Sequence, residues 1–474
     1  MKSYKNQKYL LFILFFLVSL PGYAQFLRTS YFMEGSHYRQ QLNPAAIPDR
    51  GYINIPAIGS LNVSVNSSTF TFQDFIDIAE NSEDNKYFMS NDFINRLDAT
   101  NNLNVNFNTD ILSAGWYKGK NFWSFNVGIR NDIGASIPKS MFQFMRNMDG
   151  LDINDWERLA HINEHVDEQS FHINSYVEAG VGFARELNNR LTIGGKVKAL
   201  LGIGNLKMSI NNISVNSNIS GYENIDTYYP TEEQLQNLRG EASIHVDATL
   251  ESSSKLIELT QEDGYIDEID FGSFGFAGYG AAVDLGVSYK LLNNLTLSAS
   301  VLDLGFIKWS KSHTSIATAK ANQIYDLRNE SDRYEFTDMI SNGEVLNYDL
   351  LQMKVHETAE ESKSTGINTS VVLGAEYAFL NNWLSVGALY TARFTQPKTL
   401  NELTFSANMR PSNALNFAVS YSVIQTAGKS FGVAAKLGPV FIGTDYMFLG
   451  KNTKNVNAYI GISIPLGGKK ESEI

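Results

Sequence analysis

At 474 residues with a formal net charge of −12, the chain has no basic stripe to neutralise phosphates, which excludes nucleic acid as a partner. It contains no cysteine, which excludes a disulfide scaffold and a cysteine-acylated anchor and fits export to an oxidising compartment. The 29 Phe, 23 Tyr and 36 Gly beside only 10 Pro do not suit a soluble secreted enzyme of this size.

Residues 1–24 read as a cleaved signal peptide. Lys2, Lys5 and Lys8 form a basic n-region, and Tyr9 to Leu20 is a short apolar core. Gly22-Tyr23-Ala24 supplies small residues at the cleavage site, leaving Gln25 as the mature N-terminus. The core is too short to span a bilayer as a helix, and no later run approaches the ~20 apolar residues a spanning helix needs. Residues 25–51 follow as a non-alternating leader. In it, Asn43-Pro44-Ala45 suits a helix start, with Asn as N-cap and Pro at the first helical position. Pro48-Asp49-Arg50-Gly51 is a turn feeding a strand.

From residue 52 to 466 the pattern is that of a membrane barrel. The pairs Asn188-Asn189, Asn293-Asn294 and Asn381-Asn382 each separate two long alternating stretches, and Asn tolerates the positive φ of a tight hairpin. Candidate strands occupy 52–68, 103–117, 122–133, 171–186, 191–212, 276–290, 295–309, 365–379, 383–395, 401–410, 414–425, 430–438, 440–449 and 456–466. Their connections alternate between short turns and longer loops, as bacterial barrels with periplasmic turns and extracellular loops require. Residues 241–252 also alternate, but a spanning strand there breaks the parity, so they are assigned to an extracellular hairpin extension. Strand numbers of 12 and 16 stay open. Residues 467–474 form a periplasmic tail.

Within the strands, Val283, Leu285, Val287 and Tyr289 share one face and Asp284, Gly286 and Ser288 the other. A charge on the lipid face is costly, so the charges belong to the lumen. Glu178, Lys196, Lys198, Asp284, Glu376, Arg393 and Lys436 fall on that inward phase, as candidates for a polar constriction or a latch. The fold class is therefore all-β: a transmembrane antiparallel β-barrel of about 14 strands. It carries an N-terminal plug and large acidic extracellular loops with short helices over 138–148 and 152–169. Lipid and lipopolysaccharide are its expected surroundings.

The run Thr29 to Ser36, with Leu42-Asn43-Pro44-Ala45 and Arg50-Gly51-Tyr52, resembles an uncharacterised family of outer-membrane barrels from Bacteroidota. That family has no assigned activity to lend. More distantly, Asn43, Pro44 and Ala45 ahead of a fourteen-stranded barrel resemble the long-chain fatty-acid transporter family, a wider group that includes the type IX secretion shuttle barrel. The distant resemblance implies that residues 26–50 fold into the barrel as a hatch. The large polar loops 213–275 and 310–364 depart from its pattern and speak against a fatty-acid substrate.

No enzyme is read. His161-Ile162-Asn163-Glu164-His165 has the spacing of an inverted zinc peptidase motif, and a helix there would place both His on one face. It lies in a loop with no third ligand, so neither a metal nor another cofactor is expected. Gly202-Ile-Gly204 and Gly278-Tyr-Gly280 sit inside strand patterns and are not nucleotide fingerprints. The expected function is passive transport of a hydrophobic or amphipathic small molecule through a plugged lumen. The alternatives are a non-transporting scaffold or secretion-system accessory binding a protein partner through its loops, and an open porin.

Overall fold

The computed structural model describes residues 28–34, 36–54, 60–81, 84–149, 151, 155–225, 231–262, 265–341, 353–356, 362–412, 414–424, 429–446 and 453–467. The expected signal peptide and all but the first residue of the expected tail lie outside the described residues.

Fourteen antiparallel strands close on themselves. Gly51–Asn54 and Ser60–Ser67 together make the first strand; Thr100–Lys118, Asn121–Pro138, Gln169–Glu186, Leu191–Ser220, Gly278–Leu292 and Leu295–Trp309 follow. Ser370–Phe379, Leu384–Arg393, Leu400–Ser412, Leu415–Ile424, Ser430–Leu437, Val440–Thr444 and Asn455–Leu466 complete the set. The last strand pairs with both halves of the first, Gly51 opposite Leu466 and Leu61 opposite Ile460, which closes the barrel. Closure matters because lipid offers no partner to an unpaired backbone group. No described helix is long and apolar enough to cross a membrane.

The period-two pattern decides which side chains face out. Val181, Val197, Leu285, Leu373, Phe405, Val419 and Ile442 form an exposed apolar band, while Glu178, Asp284 and Glu376 point inward and are buried. Leu285 is 59% exposed and its neighbour Asp284 only 2%.

The hairpin tips fall where the Asn-Asn pairs are, but the expected positive φ occurs at only one. Leu380, Asn381 and Asn382 have φ of 53°, 52° and 69°, whereas neither Asn188-Asn189 nor Asn293-Asn294 is left-handed. At the first pair the side chain makes the turn instead: Asn188 Oδ1 accepts from the Arg190 and Leu191 amides, both at 2.9 Å.

Beyond the barrel the outer half of Leu191–Ser220 leaves its barrel neighbour and pairs with Arg239–Ser254, which pairs in turn with Thr314–Asp326. Residues 241–252 thus belong to a hairpin standing off the barrel at its long-loop end. Lys139–Met148, Trp156–Ala160 and Glu330–Ser341 cover this sheet around a core of Met148, Trp156, Leu159, Val166, Leu238 and Phe336. The helix expected over 152–169 is corrected. Among its described residues only Trp156–Ala160 is helical, and Asn163–Val166 is a strand paired to Leu191–Ser220, with Asn163 opposite Asn216. As a strand the segment extends the lobe sheet beside Ile213–Asn216 and places Ile162 and Val166 in the lobe core.

Candidate functional site

Residues 28–50 do not alternate, so they cannot join the wall, and they occupy the lumen instead. Their one regular element is a short 3-10 turn, His37–Gln41. The helix expected at Asn43-Pro44-Ala45 is absent. Asn43 Oδ1 accepts from the Ala45 amide at 2.9 Å, a local turn, and Asn43 Nδ2 donates to the Val287 carbonyl and the Tyr31 hydroxyl, both at 3.2 Å. Asn43 therefore ties the segment to the wall. Pro44 lies where Gly194 has no side chain; a Cβ there would overlap the Pro44 backbone.

At the long-loop half of the lumen, Arg28 is fully buried. Its Nη1 lies 2.6 Å from Glu402 Oε2 and its guanidinium stacks 4.9 Å over the Tyr446 ring. The Tyr446 hydroxyl donates to Glu402 Oε1 at 2.6 Å, and Asp445 accepts from the Thr29 amide at 2.7 Å. Nearer the tight-turn end, Arg410 Nη2 donates to the Phe32 carbonyl at 2.5 Å and also pairs with Glu376, which accepts from Ser385 at 2.8 Å. Asn382 at the hairpin tip donates to Glu34 at 2.5 Å.

The segment also packs aromatic rings against the wall. Tyr38 stacks on Phe441 with centroids 4.6 Å apart, Phe441 on Tyr459 at 5.2 Å, and His37 on Tyr52 at 3.9 Å. Phe32 fills the space left by Gly387, where a Cβ would overlap its ring.

Of the candidate charges, the structure brings Glu178, Lys198 and Asp284 together. Lys198 Nζ lies 2.8 Å from Asp284, 2.5 Å from Asp303 and 3.6 Å from Glu178. Arg130 joins Glu178 at 3.4 Å to Asp110 at 2.7 Å. Asp303 holds a left-handed φ of 56° at a bulge, and its amide donates to Asp284 at 2.8 Å. Lys196 is half-buried one inward position closer to the tight turns. Arg393 pairs separately with Asp132 at 2.6 Å near the long loops, and Lys436 lines a cleft at the tight-turn end. Glu376 belongs with Arg410 and the N-terminal segment.

Sequence reasoning missed Arg130, Asp110, Glu402 and Arg410, which the inward-phase rule would have found if applied to their strands. It had no means of finding Arg28, which lies outside any strand. The ion-pair networks named above join Asp110, Asp132, Glu178, Asp284, Asp303, Glu376, Glu402 and Asp445 to Arg28, Arg130, Lys198, Arg393 and Arg410.

The His161/His165 motif does not assemble. His161 caps a helix beside Tyr222 at 3.5 Å, and His165 sits on a strand 3.7 Å from Asp167. No group of three metal-ligating side chains occurs among the described residues.

A family model described as a family of unknown function, DUF5723, matches residues 44–445. The chain belongs to this family. No curated protein matches it. Among solved structures it is similar to the Ralstonia pickettii toluene transporter TbuX, at 10% identity and TM-score 0.40 over 95% of this chain and 100% of that one. The Pseudomonas putida toluene transporter TodX follows at 10% and 0.36, covering 91% and 92%. A Pseudomonas aeruginosa FadL homologue aligns at 9% and 0.34, covering 91% of each chain.

Proposed function

We propose that this DUF5723 protein is an outer-membrane channel held closed by its N-terminal segment, admitting a hydrophobic or amphipathic small molecule. The observation that carries the reading is the mode of attachment. Residues 28–50 are fixed by two separate charged latches, Arg28 with Glu402 and Asp445, and Arg410 with Glu376 and the Phe32 carbonyl. A segment attached by side-chain latches can be displaced without opening the wall. By barrel convention the tight turns face the periplasm, the lobe and long loops face outward, and the last strand ends on the periplasmic side.

In this reading the molecule enters at the outer rim among the loops, displaces the segment, and diffuses through the lumen or a lateral opening in the wall. Membrane lipid surrounds the exposed apolar band, and lipopolysaccharide surrounds the outer rim.

The test uses vesicles with a lipopolysaccharide outer leaflet and the neutral fluorophore N-phenyl-1-naphthylamine. Faster uptake with protein than without supports the channel; equal rates overturn it. A second reading, a scaffold binding a protein partner through its loops, is favoured by one feature: the lobe has a hydrophobic core of its own around Trp156 and Leu159.

A further inference from the structure

The outward face of the wall is hollowed at one place. Across Ser370–Phe379, Leu384–Arg393 and Leu400–Ser412, Ala375 stands opposite Ala388, and Ala407 lies diagonal to Ala388, opposite Val386. The exposed side chains around these alanines are large, among them Tyr377, Phe405 and Phe431. Small residues ringed by large ones leave an open hollow of about 550 Å³. It is blind on the lumen side. Phe32 packs there where Gly387 has no side chain, and Ser420 is buried against Thr29 at 2.7 Å. The N-terminal segment therefore backs the hollow, and its mouth opens only outward.

We propose that this hollow seats one acyl chain of a phospholipid, held there while the lipid along the rest of the wall exchanges freely. Phe405 and Val419 line the hollow and belong to the exposed apolar band, so the site is continuous with the surface that lipid covers. An acyl chain is as apolar as leucine, so the preference for this place comes from packing and not from transfer out of water. A chain on a flat stretch of wall touches protein on one side. In the hollow it touches the alanines and the flanking rings together, contacts that a void would forfeit. Water is a poor occupant, because apolar hollows stay dry. Height selects the source of the chain. Ala375 and Ala388 lie four residues from the turn between Phe379 and Leu384, and Tyr377 lies two. With the tight turns on the periplasmic side, that height is the phospholipid leaflet and not the lipopolysaccharide one. The site rests on the membrane setting of the barrel and is independent of whether the barrel transports anything.

The experiment takes full-length protein in a mild detergent, adds phosphatidylethanolamine or lipid A in separate arms, and reads the retained lipid by native mass spectrometry. We expect one phosphatidylethanolamine held per chain and no comparable retention of lipid A. Ala388→Phe combined with Ala407→Phe fills the hollow and should lose that lipid. Val181→Phe, at an exposed position on Gln169–Glu186 outside the hollow, adds similar bulk to the wall and should keep it. Heat-modifiable migration on gels shows that each variant is folded, and Ala375→Phe alone decides the case if the double variant is not. Equal phosphatidylethanolamine retention by wild type and filled variants would mean lipid coating the wall only, and overturns the proposal. So does a wild type that retains no phosphatidylethanolamine, or one that retains lipid A in preference. A wild-type dimer that the filled variants turn monomeric would give the hollow to a second copy of the chain, and overturns it too.

Discussion

Arg28 and Glu402, from the start of the chain and the tenth barrel strand, form a buried ion pair at 2.6 Å beneath the Tyr446 ring. Neither group reaches water, so removing one leaves the other charge stranded. Glu402→Gln should therefore loosen the N-terminal segment. Loss of one partner from a buried pair costs about 3–5 kcal/mol, and Asp445, 3.9 Å from Arg28, holds the effect to the lower end. Protease nicking of the leader should rise in the variant, and unchanged nicking would count against the latch.

Gly387 offers a test that alters no charge. A side chain there overlaps the Phe32 ring, so Gly387→Val should displace Phe32 at a cost of about 1–3 kcal/mol, as overpacking usually does. Bilayer recordings should show brief openings absent from the wild type. Adding Phe32→Ala should make room for the valine and reduce the openings attributable to strain.

Closure should weaken with acid. Burial, with Lys436 nearby, pushes the His37 imidazole down to about 3 from an ordinary 6.5. Tyr38 and Tyr52 face it through ring contacts and offer no compensating negative charge at these pH values. The released segment therefore binds more protons than the docked one between pH 6.5 and 3. The contribution of His37 is complete above 6.5 and is lost as pH falls toward 3. Conductance should rise from pH 7.5 to 4.5 in the wild type, and the rise should be smaller in His37→Phe.

The lobe should fail independently of the barrel. Trp156 is 2% exposed in the lobe core, so Trp156→Ala should destabilise that unit by about 3–5 kcal/mol. Proteolysis of residues 139–166 should accelerate while the barrel keeps its heat-modifiable migration on gels. Loss of both together would show that the lobe and barrel fold as one.

Much of the wall was legible because lipid enforces a local rule: alternation at Leu285 against Asp284, or Tyr377 against Glu376, is written in adjacent residues. The parity of the connections then places 241–252 outside the barrel. What was not legible depends on distant partners. Nothing near Arg28 signals Glu402, and nothing near Asn43 signals the Val287 carbonyl to which its side-chain amide donates. The 161–165 spacing could not choose helix over strand, because residues four apart share a face in both, and pairing with the distant Ile213–Asn216 made it strand.

If residues 28–50 close the barrel, planar-bilayer conductance should separate the full-length protein from a variant lacking 26–47. The full-length protein should show a closed baseline and the deletion a steady ohmic conductance. Steady conductance in the full-length protein, or none in a folded deletion variant, would contradict it.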